Sequence, residues 1–429
     1  MKRPLYHISL IAGVLVLVSI LLLVLRAPWG GQKGRTMSGT ADQVHFSIID
    51  DTSVTFDWTG SADVIEIGIR PGKLNKVIKA QQPSFLPVTS PWKSDPGPYH
   101  EARLTGLKKN TVYYYKIGDN QVKEFKTPPL PGTAGFRIVL TTDMHEGSAE
   151  TLSMFAQIAG LKPDIVLTTG DITGAGPDGQ KNVSQRFHDA MAWSQTAAWI
   201  PAWGNHDWEY DTIDDLRTYK GRFDIPHPGT ISESPAISCC GEDWGWFDYG
   251  NTRIISLPEP WESSVRSEWL TQVAPVFEEA QENPQIKFII TFGHRSAYTS
   301  TNRRSPGEQS LRTMLDKLHA DYPKYKLDLS GHNHQYERYL LPGDMTYVVN
   351  VSTGSYYHEG WQTPEKPENC AFRAIHYGIL VLDVSENSID GRLECSAGST
   401  QQGPDYKPLE EMVCKNSGDI IDSFVIEAN

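Results

Sequence analysis

Six apolar, β-branched runs punctuate residues 136–384, and three of them stop on a side chain that can bind a metal. They are FRIVLTTD (136–143), DIVLTTGD (164–171), TRIISLP (252–258), KFIITFGH (287–294), YVVNVST (347–353) and YGILVLDV (377–384). Runs this continuously apolar have no solvent face, so each must be covered on both sides. Residues with helical spacing, such as Leu311, Met314, Leu315 and Leu318, lie between them and can supply part of that cover. The pattern predicts an α/β domain over residues 133–395, with helices layered on buried sheets.

Polar residues gather where these runs end. In chain order the clusters are Asp143-Met144-His145, Gly170-Asp171, Gly204-Asn205-His206-Asp207, Gly293-His294 and Gly331-His332-Asn333-His334. Loops held by a rigid scaffold are where sites are built. Two aspartates, up to five histidines and an asparagine are too many ligands for one four-coordinate ion. Two ions sharing a carboxylate fit the count, and mixed imidazole and carboxylate donors suit Zn, Fe or Mn rather than Ca or Mg. The glycines ahead of Asp171, Asn205, His294 and His332 suit tight turns and close backbone approach.

Ahead of this domain the texture differs. VTFDW (54–58), VIEIGI (64–69) and TVYYYKIG (111–118) alternate between turns such as Pro71-Gly72, with no helix-length period. This predicts an all-β sandwich over residues 43–128, bounded by the Pro-rich TPPLPG (127–132). Residues 396–429 read as a C-terminal extension that adds one strand. At 429 residues the chain exceeds what one core organises, in keeping with two domains. A net charge of −13 argues against a nucleic-acid scaffold. All five cysteines follow residue 238, in no zinc-finger spacing.

Lys2 and Arg3 precede an uncharged apolar run, residues 8–25, closed by Arg26. As a helix this would span roughly 27 Å, close to the ~30 Å hydrocarbon core, whereas a signal peptide's apolar stretch is about 7–15 residues. An uncleaved N-terminal membrane anchor over residues 1–30 is therefore expected ahead of a cleaved signal, with residues 31–42 as a linker. The catalytic part would be extracytoplasmic, or secreted if the segment is cleaved.

The ordered set D-x-H, GD, GNHD, GH and GHxH resembles the calcineurin-like metallophosphoesterases. The sandwich ahead of it, with GHNHQYER and FDYGNTRIISL, is similar to their purple acid phosphatase branch. LTGLKKNTVYYYKIGD further resembles the end of a fibronectin type III module, with Tyr113 at its tyrosine corner. The resemblance implies a four-layer β-sandwich flanked by helices. It implies that Asp143, His145, Asp171 and His334 hold one metal, and that Asp171, Asn205, His294 and His332 hold the other. His206 would face the substrate and Asp207 would orient its ring. The purple enzymes carry a tyrosine three residues after the bridging aspartate; here that residue is Gly174, and His145 stands where they lack a histidine. No ferric-tyrosinate centre is therefore expected.

Two dications outweigh two ligand carboxylates, so the local field would bind a phosphoryl group despite the acidic chain. The expected function is a phosphomonoesterase in which a metal-bridging hydroxide attacks phosphorus in line, acting on a small phosphate ester. A phosphodiesterase or nucleotidase on the same site is the near alternative, and a non-catalytic cell-surface binding protein the more distant one. Oligomeric state is left open.

Overall fold

The structure, a computed structural model, describes residues 39–84, 97–145, 147, 149–174, 176–208, 219–232, 241–259, 263–355, 359–396 and 416–429. The apolar segment 8–25 lies outside them. Among the described residues no helix is long and apolar enough to cross a membrane.

The N-terminal strands form a two-sheet sandwich. β1 (Asp42–Asp50), β2 (Ser53–Thr59) and β5 (Tyr99–Leu104) make one sheet. β3 (Val64–Gly68), β4 (Lys76–Lys79), β6 (Val112–Ile117) and β7 (Lys123–Lys126) make the other. Phe56 centres the core, with ring centroids 5.1 Å from Phe46, 4.5 Å from Tyr115 and 5.2 Å from Phe125. Burial of rings in tilted and edge-on contact is what lets so small a sandwich hold together. The Tyr113 hydroxyl accepts the Lys108 N–H at 2.9 Å, tying the strand to its preceding turn.

The larger part is four layers deep. A six-stranded sheet runs in the order β10-β9-β8-β18-β19-β20, where β8 is Phe136–Thr141, β9 Ile165–Thr169, β10 Ala198–Ala202, β18 Gly378–Val384, β19 Ser388–Cys395 and β20 Ile420–Glu427. A seven-stranded sheet runs β11-β12-β13-β14-β16-β15-β17. Its strands are β11 Trp246–Tyr249, β12 Thr252–Ser256, β13 Phe288–Phe292, β14 Tyr325–Ser330, β15 Tyr336–Leu341, β16 Met345–Val349 and β17 Cys370–Ala374. Strand alternation divides neighbours between layers. Ile138 and Leu140 face the inter-sheet core with Ile254, Ile290, Leu327 and Leu329, while Val139 faces outward. There it meets Met154, Phe155 and Ile158 of α1 (Ala149–Leu161) and Val183 and Phe187 of α2 (Gly176–Ser194). Across the molecule Val265, Trp269, Val273 and Phe277 of α4 (Ser263–Glu282) cover Ile255 and Ile289, joined by Leu311, Leu315 and Leu318 of α5 (Gln309–Asp321). Each such fully buried aliphatic or phenyl side chain contributes roughly 1.5–3 kcal/mol. The C-terminal strand β20 pairs antiparallel with β19. Its buried Asp422 accepts two bonds from Arg338, at 2.8 and 3.0 Å, and one from Tyr336, at 2.9 Å, which ties it to β15 in the other sheet.

The sandwich docks through a face that carries polar side chains. Every residue of β2 is buried, Ser53, Thr55, Asp57 and Thr59 included. Thr55 donates to Asp224 at 2.7 Å, Tyr115 to the Gln195 carbonyl at 2.9 Å, and Ser194 to the Val44 carbonyl at 2.8 Å. The same face crowds carboxylates. Burial, and then the charges of Asp224, Glu101 and Glu242, hold Asp57 well above the usual carboxylate range. Burial with Asp224 raises Glu101, and burial, Asp224 and Glu101 push Glu242 up to about 8.

These acids keep protons in the folded state that the unfolded chain releases near pH 4–4.5. The native state therefore binds more protons between about pH 4.5 and 8, and its stability falls as pH rises through that window. Thermal midpoints should decline from about pH 5 to about pH 8, and Glu242→Gln should flatten the decline. A slope identical in the variant would remove Glu242 from the account.

Candidate metal centre

The donors come together because parallel strands end on one side of their sheets. β8, β9 and β10 are parallel neighbours, as are β12, β13, β14 and β16. Asp143 follows β8, Asp171 follows β9, Asn205 and His206 open the short helix α3 (Asn205–Trp208) after β10, His294 follows β13, and His332 follows β14. Ligands gather in the crevice outside the carboxyl ends of such strands.

The turns are forced. Asp143, His145, Asp171, His332 and His334 all hold positive φ, between 45° and 72°, a region non-glycine residues rarely enter. Strain of this kind persists where the surroundings over-determine it, commonly at ligand clamps. Close approach explains two glycines. A Cβ on Gly204 would lie 2.2 Å from Asp171 Oδ1, and one on Gly331 would lie 1.9 Å from Thr142 Oγ1 and 2.7 Å from Asp143 Oδ2.

Asp171 Oδ2 is the hub. It lies 3.3 Å from His294 Nε2, 3.6 Å from His145 Nε2 and 3.8 Å from His206 Nε2. Asp143 Oδ1 lies 3.2 Å from His334 Nε2 and 3.7 Å from His145 Nε2. Three acid–histidine groups have donor atoms within 4.8 Å of one another: Asp143 with His145 and His334, Asp143 with Asp171 and His294, and His145 with Asp171 and His206. His294 Nε2 also faces Asn205 Oδ1 at 3.0 Å and His332 Nδ1 at 2.9 Å. Its Nδ1 is set against the Thr169 carbonyl at 2.8 Å, the contact that leaves Nε2 as the ligating nitrogen. The structure thus brings together all seven residues expected to bind metal.

The residues fit a pair of cations. Asp143 Oδ1 and His145 Nε2 are buried and satisfied by no hydrogen bond among the described residues, which for such groups costs about 1–3 kcal/mol each. Electrostatics agree. Burial would raise Asp143, yet His334 and His145 hold it well below the usual range. Burial likewise opposes ionisation of Asp171, but His294 and His206 bring it down to about 2. Burial disfavours a charged His294, and Asp171 overrides it, lifting that imidazole to about 9. The pocket is built to hold positive charge against two ionised carboxylates.

Asp207 departs from expectation. Its carboxylate does not orient the His206 ring; it accepts backbone N–H groups from Gly204 at 2.8 Å and from Asp171 and Ile172 at 3.0 Å each. It is a clamp between the GD and GNHD loops, because three converging donors outcompete one ring nitrogen. Burial and the Asp171 charge push it up to about 8. His206 Nδ1 has no hydrogen-bond partner among the described residues, and the ring stands edge-on to His145 at 4.6 Å. Its side chain is 27% exposed, against 0–10% for Asp143, His145, Asp171, His294 and His334. Residues with no motif to flag them also serve the site. Thr142 donates to Asp143 Oδ2 at 2.7 Å, and Ser352 donates to the Asp143 carbonyl at 2.7 Å. Arg304 donates to the His332 carbonyl at 2.9 Å.

Two helix-flanked sheets with aspartate and histidine donors at the ends of parallel strands define the dinuclear metallophosphoesterases, a class of phosphate-ester hydrolases. Residues 136–336 match the calcineurin-like phosphoesterase family and residues 41–127 the purple acid phosphatase N-terminal domain. The chain thus carries a calcineurin-like phosphoesterase domain preceded by a purple acid phosphatase N-terminal domain. Purple acid phosphatase 22 of Arabidopsis thaliana is 27% identical over 311 residues, 69% of this chain and 66% of that protein, just under two thirds of its length. Probable purple acid phosphatase 20 of the same plant is 24% identical over 424 residues, 89% of this chain and 93% of that protein. A purple acid phosphatase from yellow lupin (Lupinus luteus) seeds shares the fold, with a TM-score of 0.70 at 19% identity, covering 91% of this chain and 74% of that one.

Proposed function

We propose that this chain is a metal-dependent phosphomonoesterase of the acid-phosphatase type, acting on small phosphate esters. The observation that carries the reading is the clustering of Asp143, His145, Asp171, Asn205, His294, His332 and His334, with a more exposed histidine, His206, beside them. Asp143, His145, Asp171 and His334 would hold one ion, and Asp171, Asn205, His294 and His332 the other, with Fe, Mn or Zn suited to the donors. When bound, the ions would supply Lewis acidity toward phosphoryl oxygens and lower the pKa of a water toward ~7.

The chain's own residues supply the rest. Asp171 is positioned from both sides, accepting the His206 N–H on Oδ1 at 2.8 Å while Asp207 receives its backbone N–H. His206 presents an imidazole at the rim of the pocket, able to hold a proton and deliver it to the leaving oxygen. With Gly174 at the position of the purple enzymes' tyrosine, no tyrosinate band is expected from that position. Anchoring through residues 8–25, with the catalytic part outside the cytoplasm, remains our proposal for localisation.

The test is metal analysis of the purified chain alongside assays on aryl phosphate mono- and diesters across pH. Two transition metals per chain with monoesters preferred supports the reading. A preference for diesters would reassign it as a phosphodiesterase, and bound metal without turnover as a binding protein.

A further inference from the structure

Two arginines reach the rim of the centre from the loop that follows β13. Arg295 adjoins His294, and its Nε donates to Glu259 at 2.7 Å, with Nη1 3.6 Å from Glu308. Arg304 bonds the His332 carbonyl and pairs with Glu359. Both pairing carboxylates are buried, Glu259 at 2% exposure and Glu359 at 0%. The arginine side chains remain 25% and 32% exposed. Both charges act on the His332 ring, and that of Arg295 also reaches Asp171. Among the described residues no hydrogen bond engages Arg295 Nη2, or Nε and Nη2 of Arg304.

Burying a carboxylate costs several kcal/mol unless its partner is well placed. Here Glu259 accepts from Arg295 Nε and Glu359 pairs with Arg304 Nη1, which leaves other N–H groups of each fork unengaged among the described residues. A fork fixed in this way loses little side-chain freedom when it binds an anion, and its geometry suits carboxylate and phosphate oxygens. Each arginine is already charge-paired, so the attraction would come from directed N–H bonds rather than from a general positive field. A phosphoryl group held over Asp171 Oδ2 beside His206 would have the ions and that histidine as partners. Arg304 attaches instead at the backbone carbonyl of His332, and Arg295 is held by Glu259.

We propose that Arg295 and Arg304 form a subsite for a second anionic group on the substrate, selecting phosphate monoesters that carry a carboxylate or another phosphate near the scissile group. The proposal rests on the phosphomonoesterase reading, and its test separates the two. Full-length protein is assayed on phenyl phosphate and on the 2-, 3- and 4-carboxyphenyl phosphates. In parallel, binding of benzylphosphonate and of its three ring-carboxylated forms is measured by calorimetry.

At least one carboxylated isomer should exceed its parent about tenfold or more in kcat/KM and in affinity. Arg295→Ala and Arg304→Ala should each erase most of that ratio, and Arg304→Lys should restore part of it. A wild-type ratio near one overturns the proposal. So do losses equal on parent and carboxylated compounds, which would put the arginines on the scissile phosphate or in the loop scaffold. If phenyl phosphate is not turned over, the monoesterase reading fails, while the phosphonate affinities still decide whether the arginines read a second anion.

Discussion

Asp171→Asn should cut phosphate-ester turnover by about 10³-fold or more and lower the metal content below two ions per chain. Oδ2 of this side chain stands within 4 Å of the Nε2 atoms of His145, His206 and His294 together. Asparagine keeps the shape and can still accept the His206 N–H at Oδ1, but it removes the charge that offsets both cation positions. Folding is expected to persist, because the clamp on the loop is the backbone N–H of residue 171 bonded to Asp207, which the substitution leaves in place. Metal analysis, kinetics and a thermal melt on one preparation separate the outcomes. A variant that keeps two ions and turns over within tenfold of the parent would show that the carboxylate is not shared.

His206→Ala should lower kcat by about 10²–10⁴ while leaving metal content nearly unchanged. The imidazole is the more exposed ring of the group, and its Nε2 lies farther from the hub oxygen than that of His294 or His145. Its backbone is what the centre uses, through the N–H bonded to Asp171, and alanine retains that bond. If the ring protonates the departing oxygen, the loss should be larger for an alkyl phosphate, whose leaving group needs the proton, than for a nitrophenyl phosphate. Equal losses on both would argue for electrostatic stabilisation of the phosphoryl oxygens instead. Loss of an ion along with the ring would make His206 a ligand, a role its 3.8 Å approach to Asp171 keeps within reach.

The donor clusters are legible before any folding, because each directly follows a strand or closely trails one. Asp143, Asp171, His294 and His332 need only the rule that buried parallel strands hand their ends to a common edge. Arg304 and Glu359 obey no such rule. They are 55 positions apart on loops with no periodic pattern, and only packing makes them neighbours. Asp207 shows the opposite failure. Its place beside His206 in the chain suggests a dyad, yet the short turn aims its carboxylate at three backbone N–H groups instead.

Sequence by itself determined the layered α/β scaffold, the all-β part ahead of it and the placing of aspartate, asparagine and histidine side chains just after its strands. Hydrophobic period and residue chemistry are local properties, written wherever the chain goes. The tertiary structure decided that both faces of β2 are dry, because only packing sets the larger domain against the polar side chains Ser53, Thr55, Asp57 and Thr59. It alone decided which oxygen is the hub and that Arg304 meets Glu359, since both depend on distances between loops that only close packing brings within a few ångströms.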